Sequence, residues 1–341
     1  MLKVGKLDSD LLEKAVINKI KHKRPDVLVH AGVGEDCATI DFGEYECVMS
    51  TDPITASVND IGRLCIHISC NDIASNGIEP VGILLAVMLP EGTTEEDVAA
   101  IMEQAAAAAE ECGVEIVGGH TEITTAVNQP VIVSTAIGRG KKWQSASAEK
   151  IEVGDCILMT KSAGIEGTGI IAGDYEAELA EFLSEKEINE AKALLSEISV
   201  VKEGMAAGSI GTHGMHDVTE GGILGAVWEM CRIAGVGAEL WDEAIPVEAV
   251  TKKICAHYDI DYLRLISSGS MIIMASPDKK SAILEKLEAE GVAAREIGRI
   301  LTIEEGLYLL KDGEKQEIEP PRADELYKVE IKVKEKGRNR V

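Results

Sequence analysis

The stretch VGILLAVMLP, residues 81–90, is an unbroken apolar run too short to cross a bilayer. A run of this kind suits a strand buried on both faces. Just beyond it, Thr93 and Glu96 have capping-box spacing, and VAAIMEQAAAAAEECG reads as a helix ended by Gly113. VEIVGG and VIVSTAIG then read as further strands. Strand, alanine-rich helix and two more strands commit this part of the chain to an α/β fold.

The flanking segments continue the alternation. Leu7–Lys21 has helical apolar spacing, with Asp8 or Ser9 as its cap. Cys47–Ile54 reads as a strand that stops at Pro53, and the segment beginning at Asp60 as a helix closed by Gly77 and Pro80. Between Trp143 and Gly154 the composition turns polar. A boundary there predicts a first domain over residues 1–150 and a second over 151–322, leaving a basic, solvated tail at 323–341. The second half opens with the strand CILMTKSAG and a glycine-rich turn into a helix. Glu176–Glu203 is an acidic helical stretch, MHDVTEGG a loop feeding a helix, and LISSGSMIIMA a turn and strand.

The 341 residues carry 34 Lys+Arg against 59 Asp+Glu, a formal net charge of -25. Such a surface repels nucleic-acid backbones and anionic membranes, yet leaves a magnesium-bridged nucleotide open. Aromatics are only 3%, which argues against base-stacking platforms. The N-terminus has no long apolar segment of the signal-peptide kind, so a soluble, cytoplasmic protein is expected. None of the 8 cysteines forms a C-x-x-C pair. Cys65, His67 and Cys70 lie close in sequence, but their spacing is poor for a helix-borne metal site, and buried apolar thiols are the better reading.

The informative pattern is a scatter of acids beside small residues: Asp36 after GVGE, Asp52 at the end of VMST, Asp72 after SCN, Glu122 in GGHTE and Asp217 in MHDVTEGG. Carboxylates on such segments can meet around Mg²⁺ and phosphate oxygens, although each alone also suits a turn or a cap. No Walker A and no Rossmann fingerprint is present. Gly164, Gly167 and Gly169 form a glycine-rich helix entry able to hold phosphate, with Lys161 before it. His120 and His216 stand beside glycine or an acid, where an imidazole can move protons.

The order of GVGEDCATI, STDPI, CNDIASNGIEP, GGHTEI, GIEGTGIIA, MHDVTEGGILGAVWEM and LISSGSMII resembles the AIR synthase-related superfamily, with its PurM-like fold. Within it the likeness is greatest to the HypE-type proteins of hydrogenase maturation. The resemblance implies a homodimer whose N-terminal α/β domains pair into a barrel-like interface, with ATP and Mg²⁺ near it, and a C-terminal α/β sandwich. It implies Asp36, Asp52, Asp72, Glu122 and Asp217 as metal ligands, and Gly34, Asp36, Asp52, Asp72, Gly118, Gly119, Glu122, Gly164 and Gly167 around the nucleotide. His120, Lys161 and Asp217 are the catalytic candidates. Glu35 stands where many relatives carry a second aspartate.

The implied chemistry is ATP-driven activation of an amide- or carbamoyl-type oxygen, the substrate being a small molecule or a group on a maturation partner protein. HypE-type chains end in a cysteine that carries the carboxamide. Here the residues after Pro320 contain none and the last is Cys255. A separate acceptor is therefore expected. The alternatives are a kinase resembling thiamine-monophosphate kinase and a non-catalytic nucleotide-binding partner.

Overall fold

The computed structural model describes residues 7, 9–55, 60–142, 144–321 and 323–339. Asp8, Trp143, Arg322 and Arg340 lie outside them. The chain divides into two compact units, Leu12–Ser145 and Ala146–Val341, the latter joined by Met1–Leu11. The helical reading of Leu7–Lys21 shortens to α1 (Ser9–Ala15) and a 3-10 turn at Ile17–Lys19.

The first unit is a sheet covered by two helices. Its elements are β1 (Val27–Val29), β2 (Ala38–Asp41), β3 (Tyr45–Ile54), α2 (Ile61–Ser75), β4 (Pro80–Leu89), α3 (Glu95–Cys112), β5 (Glu115–Ile123) and β6 (Val131–Lys141). The strand order is β1-β2-β3-β6-β4-β5. Only β4 and β5 pair in parallel, and α3 makes the crossover that a parallel pair requires. The capping box of α3 falls one residue later than expected. Thr94 accepts from the Asp97 N–H at 3.2 Å while Asp97 accepts from the Thr94 N–H at 2.9 Å. Thr93 instead donates to the Pro90 carbonyl at 2.8 Å.

β4 corrects a second expectation. Its run is apolar throughout, but only one face is buried. Ile83, Leu85, Val87 and Leu89 face the core, whereas Val81 and Leu84 are 42% and 39% exposed. The run is continuous because the outer face is apolar too, not because a second helix layer covers it. β3 alternates in the same way, with Glu46, Val48, Ser50 and Ile54 buried.

The second unit is a sheet with helices on both faces. It contains β7 (Cys156–Thr160), α4 (Ile165–Asp174), α5 (Glu176–Leu179), α6 (Glu185–Ala193), α7 (Val201–Ile210), β8 (Gly214–Asp217), α8 (Gly222–Ala234) and β9 (Gly237–Trp241). It continues with α9 (Ala249–Tyr258), β10 (Met271–Ala275), α10 (Lys280–Ala289), β11 (Ala294–Leu301), β12 (Leu307–Lys311), β13 (Glu314–Glu317) and α11 (Glu325–Asn339). The strand order is β13-β12-β9-β11-β7-β10-β8. β7 and β10 are buried at every position, because alternate side chains enter two different cores. Ile157, Met159, Ile272 and Met274 pack with α8, while Leu158, Met271 and Ile273 pack with α7 and α10. A third cluster joins α4, α6, α9 and Val329 of α11.

The segment expected to be a solvated tail is thus helical where described. Val329 is fully buried, and the Tyr327 hydroxyl lies 3.2 Å from Glu220 Oε1. Apolar residues at helical spacing among the lysines bind α11 down. Among the described residues, no helix is long and apolar enough to cross a membrane.

Candidate functional site

In the first unit, β3 and α2 bring two of the singled-out acids together. The Ser50 hydroxyl donates to Asp72 Oδ2, and its oxygen lies 3.4 Å from Asp52 Oδ2. Asp72 is 4% exposed, near the C-terminal end of α2 and facing the strand. The Ser134 hydroxyl reaches the Asp52 carbonyl at 3.4 Å and shares a hydrogen bond with Ser69 at 2.7 Å. This small polar patch is buried inside an otherwise apolar layer, where its members satisfy one another.

The loop before β2 joins the same patch. The Cys37 thiol donates to the Asp72 carbonyl at 3.4 Å, which holds the loop against α2. Asp36, one residue earlier, is exposed, and Gly34 makes the turn with φ 83°. Asp52 and Asp72 therefore share one corner of the first unit, and their donor set is hard carboxylate oxygen, the type Mg²⁺ prefers.

Glu122 and His120 lie elsewhere, on the edge strand β5. All of β5 except Ile116 is exposed. His120 Nε2 is 3.4 Å from Glu122 Oε2, both side chains open to solvent. In register, Asp52 pairs with Ser134, Ser134 with Leu85, and Leu85 with Gly119. Three strand spacings separate Asp52 from Gly119, roughly 14 Å. Within one chain β5 does not reach the Asp52 corner. Gly118 and Gly119 have φ 153° and 148°, and the register shifts beside them, between Ile83 and Leu84. A Cβ on Gly119 would stand 1.9 Å from the Leu85 carbonyl oxygen, so only glycine fits.

In the second unit Asp217 ends β8 and is 1% exposed. His216 beside it is buried, with Nε2 3.4 Å from Glu229 Oε2 on α8. Behind Asp217 the structure gathers carboxyls that sequence reasoning missed. Glu166 on α4 is 3% exposed, and burial pushes its pKa up to about 7, aided by the charges of Asp324 and Asp217 and opposed by Ser268. Asp324, just before α11, accepts the Gly221 N–H at 2.9 Å, at the start of α8. Burial raises its pKa to about 6 against the pull of backbone N–H groups. Glu166 was the legible one: it is the lone charge between Ile165 and Ala172. Asp324 had no local signal, since its partner is 103 residues away.

The glycine-rich entry to α4 is closely packed. Gly164 has φ 73°, and a Cβ on Gly167 would meet Leu265 Cγ at 2.4 Å. The Ile165 N–H donates to Ser267 Oγ at 3.1 Å and the Gly167 N–H to the Ile266 carbonyl at 2.9 Å. Lys161 is equally committed. Its ammonium donates to the carbonyls of Glu197 and Ser199 at 2.8 and 2.6 Å and pairs with Glu203 at 2.7 Å.

Comparison with known proteins agrees with this two-unit organisation. Residues 34–140 match the N-terminal domain of AIR synthase related protein, and residues 152–306 match its C-terminal domain. The chain is similar to the carbamoyl dehydratase HypE of Azotobacter vinelandii, 28% identical over 314 residues, which span 88% of this chain and 86% of the relative. Its fold is similar to that of a chain in the crystal structure of a HypE–HypF complex, with a TM-score of 0.75 at 22% identity, covering 91% of this chain and 99% of the other. A crystal structure of HypE in complex with ATP gives a TM-score of 0.68 at 21% identity, covering 95% and 97%. With both domains matched in order along the sequence, the chain belongs to the AIR synthase-related family.

Proposed function

We propose that this protein is an ATP-dependent enzyme of the HypE type, which phosphorylates the oxygen of a carboxamide and so prepares its dehydration. The observation that carries this reading is the corner shared by Asp52 and Asp72, drawn together by Ser50. Asp72, 4% exposed in a largely apolar layer, is a carboxylate that is costly to keep unless a hydrogen-bond donor, a cation or a phosphate-bound metal uses it.

Asp36, Asp52 and Asp72 are the residues that would hold Mg²⁺. When bound, the ion neutralises charge on the triphosphate. The chain's own part is positional: Ser50 fixes the Asp72 carboxylate, and the β3–β6 pairing fixes Asp52. In the reaction, the amide oxygen takes the γ-phosphoryl group, ADP leaves, and one N–H proton is released. Loss of phosphate with the second N–H proton then gives the nitrile. Asp217 and Glu166 are the buried acids of the second unit, where burial pushes the Glu166 pKa up to about 7. Lys161 is left out, because its ammonium is engaged by Glu197, Ser199 and Glu203.

The protein acts as a homodimer in this reading. The outer face of the first sheet exposes Val81, Leu84 and Val117, and a second copy is the natural cover for such a face. Glu122 and His120 of β5 then serve a site to which both copies contribute. A maturation protein that supplies the carboxamide is the expected partner. Cys255 is not the carrier of that group: it is 1% exposed, and burial pushes its thiol up to about 12.

Calorimetry with ATP and Mg²⁺ tests the first half of the reading, and an absence of binding heat overturns it. ADP release with carbamoylated thiols tests the second half. Phosphorylation of thiamine monophosphate in their place selects the kinase alternative.

A further inference from the structure

The loop that leaves Asp217 is tied to the last helix of the chain. Val218 to Gly221 connect β8 to α8, and Gly221, at the N-cap of α8, has no side chain to offer the helix. The acceptor comes from 103 residues away: Asp324 Oδ2 takes the Gly221 N–H at 2.9 Å, while its Oδ1 takes the Leu326 N–H of α11, also at 2.9 Å. Glu325, the next residue, turns to a second loop and accepts the Asp261 N–H on Oε2 at 3.4 Å. Both acids are buried, at 3% and 6% exposure. The Tyr327 hydroxyl faces Glu220 Oε1 at 3.2 Å. Further along α11, Val329 is buried among residues of α4, α6 and α9, and the Lys332 ammonium reaches the carbonyls of Tyr258 and Asp259. The helix is therefore anchored along its length, and its first residues hold the loop.

We propose that α11 is a strap that orders the loop following Asp217, with Asp324 as its positioning residue. The loop needs an outside tie. At its β8 end the Val218 N–H is fixed by the Ser270 carbonyl at 2.9 Å. At its α8 end it turns on Gly221 and Gly222, with φ 89° and 62°, a pair that leaves the backbone pliable. Asp324 is the side chain that takes up this slack, because a buried carboxylate held by two N–H groups has a fixed place. For turnover the strap rests on the function proposed above: it sets the geometry of the second unit and leaves the Mg-ATP carboxylates Asp52 and Asp72 of the first unit untouched. The ordering of the loop is independent of that reading.

Hydrogen exchange on the purified full chain, read by mass spectrometry, tests the strap without any substrate. In Asp324→Ala, amides 218–224 should exchange at least about tenfold faster than in the wild type, while β7 and β10 stay protected over the same labelling time. Tyr327→Phe, which removes only the hydroxyl facing Glu220, should give a smaller change in the same peptides. Asp324→Asn keeps one acceptor oxygen and should fall between Asp324→Ala and the wild type; it also serves if the alanine variant does not fold. ADP release with a carbamoylated thiol gives the second readout. Asp324→Ala should lower kcat by about tenfold or more and leave KM for Mg-ATP within about twofold. Unchanged exchange at 218–224 overturns the inference, as does a gain spread equally over β7 and β10, which would make α11 general packing. A raised KM at constant kcat overturns the positioning role. A wild type that releases no ADP defeats the proposed function, and the exchange data still decide the strap.

Discussion

Ser50 on β3 donates its hydroxyl hydrogen to Asp72 on α2, so one hydrogen bond ties the strand carrying Asp52 to the helix carrying Asp72. The bond serves both stability and the candidate site. Ser50→Ala leaves the Asp72 carboxylate buried with one donor fewer. The expected cost is about 1–3 kcal/mol in urea unfolding. Affinity for Mg-ATP by calorimetry should fall by about tenfold or more, as for other residues that orient metal ligands. Asp52→Asn and Asp72→Asn should weaken that binding at least as much while the circular dichroism spectrum is kept.

Gly119 is fixed by the close approach of the Leu85 backbone. Gly119→Ala places a methyl group against the Leu85 carbonyl and must part β4 from β5. A loss of about 2 kcal/mol or more in denaturant unfolding is expected. Gly173→Ala is the control: it lies on the exposed side of α4 with nothing within 4 Å of the added Cβ, and should be neutral or stabilising by up to about 1 kcal/mol.

Glu166 gives the second unit a pH dependence of definite sign. Its folded pKa, about 7, lies above the ordinary value of 4.5. Between those values the folded state binds the proton that the unfolded state has released, so stability is greatest below the window and declines as pH rises through it. Asp324 adds the same trend between 3.8 and about 6. Denaturation midpoints at pH 5, 6, 7 and 8 should show Glu166→Gln losing the part of the slope that belongs to Glu166. A slope that is identical in both proteins refutes the assignment.

The uncovered sheet face makes a prediction about assembly. Leu84→Arg puts a charge on the outer face, where Leu84 is 39% exposed and faces no core. Sedimentation should shift from dimer to monomer, with the unfolding of the monomer little changed. A monomeric wild type would remove the dimer from the proposed function.

The sequence made the α/β class legible because alternation of strand and helix periods is local, as in residues 81–138. It misjudged β4 because an apolar residue looks the same whether it meets a helix or is left open, as Val81 and Leu84 are. The α3 cap was displaced by one position because Thr93 and Thr94 both precede an acid at the right spacing, and the choice lies in the turn after Pro90. The acids Asp36, Asp52 and Asp72 could be singled out from their glycine and serine neighbours, but the meeting of Asp52 with Asp72 depends on Ser50. Asp324 gave no warning at all. It takes its significance from Gly221, a partner on a remote element.

Lys161 bears on how any mutational survey of this protein is to be read. Its backbone is held at φ 51°, and its ammonium knits the end of β7 to the two carbonyls that precede α7. Removing it would loosen that junction and so lower turnover whatever its part in the reaction. An activity screen alone would score it beside true reactive groups; only a parallel record of folding would tell a rivet from a tool.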